Sequence, residues 1–153
     1  MSENIMAIKL FDDGVGAFLR NDFRASIKLF GQALVHDRKF ALVYSSRGAA
    51  YLKTKRVKKA LSDFTRAIRL DPGYARAFYL RGLAHEKTGD LALAYRDFDR
   101  AIEIDPDLEA AYRSRDYVLE KAVDDPGESE DFEMADHLEA MRVAQFSGEK
   151  KAA

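Results

Sequence analysis

Apolar positions recur along this chain with helical spacing. From Val57 to Leu70 they fall at Ala60, Leu61, Phe64, Ala67 and Ile68, an i, i+1, i+4, i+7, i+8 stripe that predicts an amphipathic helix. Leu91 to Ile104 repeats that stripe 34 residues later, and Phe23 to His36 carries it one period earlier. Between these lie Ala7 to Leu19, Ala41 to Lys53 and Ala75 to Lys87, each with small and aromatic residues at helical spacing. Asp71-Pro72-Gly73 and Asp105-Pro106 punctuate the pattern, because proline disfavours helix in the residue before it. Arg20-Asn21-Asp22 and Thr88-Gly89-Asp90 supply the turns inside the first and third pairs.

The pattern is periodic as a whole. Gly14, Gly48 and Gly82 are spaced by 34 residues, as are Phe30, Phe64 and Phe98, and Ala33, Ala67 and Ala101. A repeat of this length built from two helices predicts stacked hairpins, each burying its apolar face on its neighbours. Glycine inside a helix costs about 1 kcal/mol relative to alanine, so three at one phase imply close approach of the paired helices. Ala60, Ala67, Ala94 and Ala101 offer the partner helix a similarly small face, with Phe64 and Phe98 beside it. Asp13, Arg47, Arg81 and Arg115 form another ladder, and Asp63 and Asp97 follow two of the arginines by sixteen residues. This spacing predicts that Arg47 pairs with Asp63 and Arg81 with Asp97, holding each hairpin together.

These residues resemble the tetratricopeptide repeat family, whose pattern is an aromatic, Leu-Gly and Tyr on the first helix, then Ala, an aromatic, Ala and Pro. Residues 41–74 match it with Tyr44, Gly48, Tyr51, Ala60, Phe64, Ala67 and Pro72, and residues 75–108 with Phe78, Gly82, Ala94, Phe98, Ala101 and Pro106. His85 stands where the family has Tyr. Residues 7–40 are degenerate, with Leu10 for the aromatic, Ser26 for Ala and Arg38 for Pro, as suits a terminal unit. Residues 109–123 restart the phase with Tyr112 and Leu119 but carry Asp116 in the glycine position, and resemble the family's capping helix. The resemblance implies an all-α fold over residues 7–123: three helix-turn-helix repeats in a right-handed superhelix, closed by that cap. Residues 124–153 form an acidic, partly amphipathic tail.

Charge separates these two parts. Through Val123 there are 22 Lys and Arg against 17 Asp and Glu, a net +5; from Asp124 onward the net is −6. The apolar fraction of 47% is enough for a folded body. Cysteine is absent, which excludes disulfides and thiolate metal sites. The first residues lack a basic segment followed by an apolar run, and no apolar run approaches membrane-spanning length, so a cytoplasmic protein with no membrane role is expected.

Function, on this resemblance, is protein binding. The family holds a peptide or helix in a concave groove lined by its first helices, which here implies an apolar trough with basic points. Its expected contacts are Phe11 and Val15 in the first repeat, Ser46 and Lys53 in the second, Arg76, Tyr79 and Leu83 in the third, and Arg113 in the cap. Ile8, Asp12, Phe18, Leu42, Ser45, Ala49, Leu80, Glu86 and Tyr117 complete the groove-facing phases. Family members that grip chaperone C-terminal tails use Lys, Asn, Asn, Lys and Arg as a two-carboxylate clamp. Phe11, Val15, Ser46, Arg76 and Leu80 occupy those positions here, and Arg76 alone can bind a carboxylate bidentately. Chaperone tails are therefore not the expected ligand.

Other chemistries find little support. The run Lys53-Thr54-Lys55-Arg56-Val57-Lys58-Lys59 has the charge to attract phosphate, but it sits at a turn without interleaved aromatics for base stacking. It reads as a solvated loop rather than a nucleic-acid site. His36, His85 and His137 form no metal-ligand spacing, Gly14-Val15-Gly16 lacks a preceding strand, and no nucleophile–base pair stands out. Neither catalysis nor a cofactor is expected. The tail carries Phe132, Leu138, Met141 and Phe146 at amphipathic spacing. It can occupy the chain's own groove, enter a second copy to make a homodimer, dock on another protein, or serve as an acidic solubilising segment.

Overall fold

The computed structural model describes residues 3–124, and the acidic tail lies outside them. Seven helices occupy the described residues: α1 (Glu3–Leu19), α2 (Phe23–His36), α3 (Ala41–Lys53), α4 (Val57–Leu70), α5 (Ala75–Lys87), α6 (Leu91–Ile104) and α7 (Glu109–Asp124). Contacts are densest within the hairpins α1–α2, α3–α4 and α5–α6. Each hairpin then packs on the next, with lighter contact between successive first helices α1, α3, α5 and α7. This is an all-α helical repeat. The helix ends match the hydrophobic pattern closely, except that α1 begins at Glu3 rather than Ala7. Residues 3–6 contain no glycine or proline to stop it.

Local chemistry explains the turns. Asn21, Lys55 and Gly89 sit one period apart, and all three have positive φ, at 61°, 62° and 81°. Each first helix reverses into its second through this left-handed residue. Asp22 and Asp90 then cap α2 and α6, accepting from the backbone N–H of Ala25 at 3.1 Å and Leu93 at 3.4 Å. Between repeats a further ladder operates. The carboxylates of Asp37, Asp71 and Asp105 accept from the backbone N–H two residues on, at 2.9, 3.1 and 3.1 Å. That aspartate turn works with or without the following proline, so Arg38 replaces Pro without loss of the corner. Ser26, in the degenerate first repeat, is fully buried and donates its hydroxyl to the Phe23 carbonyl at 2.9 Å.

The core is a series of clusters, one per hairpin. Phe30 with Ala33, Leu34 and Val43 forms the first, Ala60, Phe64 and Ala84 the second, and Leu91, Ala94, Tyr95, Phe98 and Val118 the third. The repeated glycines have a sharper role than small-face packing. A Cβ on Gly14, Gly48 or Gly82 would lie 2.6 Å from the Cε1 of Phe30, Phe64 or Phe98 respectively. The aromatic ring itself, rather than the alanine face beside it, occupies the space that the glycine vacates.

The arginine ladder pairs as its spacing predicts. Arg47 donates Nε and Nη2 to the two oxygens of Asp63, both at 2.8 Å, and Arg81 repeats this with Asp97 at the same distances. The aspartates are buried, so these fork-to-carboxylate pairs fix the two helices of a hairpin in register. The hydrogen bonds that Arg47 donates to Asp63 raise its pKa above the usual value, against the opposing effect of burial. His85 lies beside the second pair, its Nε2 3.7 Å from Asp97 Oδ2. Burial lowers its pKa, with Asp97 acting in the opposite direction, so at neutral pH the ring is uncharged and this contact is not an ion pair.

Candidate peptide groove

Of the eight large apolar side chains that stand exposed among the described residues, six are on the first helices α1, α3 and α7. One of them, Leu42, lines a cleft between the first helices, with Val15 and Phe18 of α1, Ser45, Ser46 and Ala49 of α3, and Arg76 and Leu80 of α5 in its other walls. Phe30 and Tyr74 complete the lining. They lie on α2 and in the α4–α5 turn, so a search confined to first-helix phases passes them over. The 34-residue phase of Phe30 marks it as core, which it also is, at 1% exposure.

The cleft's volume is about 190 Å³. Small-molecule and cofactor sites run from roughly 300 to 1,000 Å³, so this one has room for a side chain or two of a peptide instead. At its edge Arg76 is exposed and forms no ion pair among the described residues. Arg47, Arg81 and Arg115 contrast with it, since each is held by an aspartate. The guanidinium of Arg76 is therefore free to meet an acidic group.

The eight residues expected from the sequence distribute as follows. Val15, Ser46 and Arg76 come together in the cleft. Phe11 is half-buried between Phe30 and Phe40, with ring centroids 5.9 and 5.4 Å away. Tyr79 packs on Phe98 at 5.8 Å, and Leu83 joins it against the third cluster. Lys53 and Arg113 are exposed at the end of α3 and on α7, outside the cleft lining. Phe132, Leu138, Met141 and Phe146 lie outside the described residues.

A larger hollow of about 510 Å³ lies on the α3–α4 hairpin, lined by Tyr44, Arg47, Asp63, Arg66 and their neighbours. Its walls are polar, and Arg47 is already bound to Asp63 there, with its guanidinium 5.8 Å from the Tyr44 and Tyr51 ring centres. Arg66 also lies over the Tyr44 ring, so four of the lining residues are engaged within the hairpin. The basic run at the α3–α4 turn is exposed at Lys53, Lys55, Arg56, Lys58 and Lys59, and Lys59 lies over the Tyr51 ring. Among the described residues no group of three or more acidic, His or Cys side chains is placed to hold a metal, and no helix is long and apolar enough to cross a membrane.

Stacked helical hairpins with an apolar first-helix face define a helical-repeat binding module. Two tetratricopeptide repeat models match the chain, one over residues 16–75 and one over residues 48–118. The second repeat domain of human RPAP3, solved in complex with the HSP70 peptide SGPTIEEVD, is 30% identical with a TM-score of 0.73. The match covers 76% of this chain and 98% of that one. The chain belongs to the tetratricopeptide repeat family. The repeat domain of Sgt2 from Aspergillus fumigatus is 28% identical, with a TM-score of 0.73 over 75% of this chain and 78% of that one. The first repeat domain of Spaghetti (RPAP3), bound to the HSP90 peptide SRMEEVD, shares the fold at 22% identity and a TM-score of 0.77, over 78% and 95% of the two chains. Mouse tetratricopeptide repeat protein 28 is 44% identical over 46 residues, which are 30% of this chain and 2% of that protein's length.

Proposed function

We propose that this protein is a non-catalytic adaptor whose first-helix groove holds a peptide or helix of a partner protein. The carrying observation is the cleft joining α1, α3 and α5, apolar in its walls and edged by the uncommitted Arg76. An apolar side chain set beside an acidic one is the pattern this pairing suits. Phe11, Tyr79 and Leu83 present the part of their surface that the core leaves open, and Lys53 and Arg113 extend the basic points along the groove.

The relatives solved with chaperone peptides support protein binding as the general role. Their ligands end in acidic residues, yet this chain has Phe11, Val15, Ser46 and Leu80 at four of the five clamp positions. A ligand held by apolar anchoring with a single arginine suits this groove better than a C-terminal carboxylate clamp. Selection of peptides from a random displayed library on the purified protein tests the reading. Recovered sequences should place an acidic residue near a Leu, Ile, Met or Phe, and should lose binding to Arg76→Glu and to Ala49→Phe, which fills the cleft. SRMEEVD and SGPTIEEVD contain such pairs, Met-Glu and Ile-Glu, so the distinction lies at the C-terminus, and amidating it should leave binding of the selected peptides unchanged. Selected peptides indifferent to both substitutions, or binding that requires a free C-terminal carboxylate, would refute the reading.

A further inference from the structure

The arginine ladder reaches backward along the array as well as forward. Arg47 and Arg81 bind the aspartate sixteen residues later through Nε and Nη2. The remaining Nη1 faces the position sixteen residues earlier, on the second helix of the previous repeat. There Arg115 Nη1 donates to the carboxylate of Asp99 at 3.1 Å, and Arg81 Nη1 donates to the hydroxyl of Thr65 at 3.4 Å. For Arg47 the same position is Gly31, where an added Cβ would stand 3.7 Å from Nη1. Glycine offers no side-chain acceptor, and Arg47 Nη1 makes no hydrogen bond among the described residues.

A second departure between the repeats falls beside the first. On α6, Arg100 pairs with Glu103 at 3.0 Å. Their counterparts on α4 are Arg66 and Arg69, so a second arginine replaces the acid of that pair. Both are exposed, and neither forms an ion pair among the described residues. The exposed Ser62, Arg66 and Arg69 are spaced i, i+4, i+7 and share one stripe of α4. Arg66 lies over the Tyr44 ring at 6.0 Å, a contact with the ring face that consumes none of its N–H donors. All of these side chains line the polar hollow of about 510 Å³ on the α3–α4 hairpin.

Three arginines against one aspartate give that hollow a net charge of +2. We propose that it binds a phosphate monoester, whose oxygens accept from Arg47 Nη1, Arg66 and Arg69, with the Ser62 hydroxyl at the edge. A monoester carries close to two negative charges at neutral pH and three strong acceptor oxygens, which matches both the charge and the surplus of donors. The volume lies within the roughly 300–1,000 Å³ of small-ligand sites, so the group that carries the phosphate has room beside it. A free sugar phosphate and a phosphorylated serine share this chemistry. The hollow has no residue in common with the cleft between α1, α3 and α5, so the two sites fill independently.

Isothermal titration calorimetry on the full chain tests the assignment at about pH 7.5, above the second phosphate pKa of about 6. The probes are glycerol 3-phosphate and a phosphoserine peptide, with dimethyl phosphate as the singly charged control. At least one monoester should bind, the tighter of the two naming the source, and dimethyl phosphate should bind at least tenfold more weakly. Arg69→Ala should weaken the monoester about tenfold, the factor for one charge-assisted hydrogen bond, and leave the melting temperature unchanged. Gly31→Asp sets a carboxylate where Asp99 stands to Arg115, and should abolish binding in a chain that still melts cooperatively. Gly31→Ala adds a methyl group in ordinary contact and no acceptor, and should keep binding. No binding of either monoester, equal binding of dimethyl phosphate, or binding indifferent to both Arg69→Ala and Gly31→Asp would overturn the proposal. Loss of monoester binding in Arg76→Glu would overturn it too, by placing the phosphate in the groove.

Discussion

Gly14 and Gly16 lie two residues apart on α1, and the same substitution should act on them with opposite sign. Alanine gains about 0.8–1.0 kcal/mol of helix propensity over glycine at either site. At Gly16 the added Cβ meets nothing closer than Nη1 of Arg20 at 3.3 Å, the far end of a flexible side chain, so the gain is kept. At Gly14 it meets Cε1 of Phe30 at 2.6 Å and Cδ1 at 2.7 Å, on a ring that is 1% exposed and cannot step aside. Carbon atoms prefer about 3.5–4.0 Å, so ring or helix must move by roughly 1 Å, and overpacking of this kind costs about 1–3 kcal/mol. Propensity cancels between the two variants, which leaves the clash alone to separate them. At about 3 °C per kcal/mol for a chain of this size, their melting temperatures by circular dichroism should differ by about 3–9 °C, with Gly16→Ala the higher. In a Phe30→Ala background Gly14→Ala should become stabilising. Equal shifts of the two single variants, or no rescue by Phe30→Ala, would refute ring-on-glycine packing as the reason for the glycine ladder.

Asp97→Ala strips Arg81 of a bidentate partner and should cost about 3 kcal/mol in urea unfolding, whereas Glu103→Ala at the exposed Arg100 pair should cost less than about 1 kcal/mol. Lys55 holds φ at 62° where Gly89 stands in the next repeat, and Lys55→Gly should raise stability by up to about 1 kcal/mol by relieving that backbone. His85 has a folded pKa below its ordinary 6.5, so the unfolded chain takes up this proton first as the pH falls. Its contribution is complete above about pH 6.5, declines below that value and levels off once the lower folded pKa is passed. His85→Tyr should flatten that part of a stability-against-pH curve, and an unchanged slope would count against burial as the cause.

Most of the fold was legible because its determinants are local and repeated. Stripe, turn and ladder each recur three times, so chance matches fail to keep phase, and even the Arg47–Asp63 and Arg81–Asp97 pairs follow from spacing. The close approach of Phe30 to Gly14 was only half legible, since periodicity shows that a small residue is needed without showing what fills the space. The aspartate turns at Asp37, Asp71 and Asp105 were hidden by the more visible prolines. The groove was less legible for a physical reason. Periodicity marks the first-helix face but not how deeply each side chain sinks into the hairpin behind it. Phe11 and Tyr79 look like free aromatic anchors by phase, yet each leans on a core phenylalanine. Tyr74 enters the cleft from a turn, where helical phase says nothing.

In the proposed function the partner sits in the cleft between α1, α3 and α5. Amide chemical-shift mapping on the labelled protein, titrated with a peptide selected on it, tests that placement most directly. The largest shifts should fall on Val15, Ser46, Ala49, Arg76 and Leu80, with little change at Asp63 or Arg66 in the polar hollow. Shifts centred on that hollow, or on the basic turn from Lys53 to Lys59, would contradict the account.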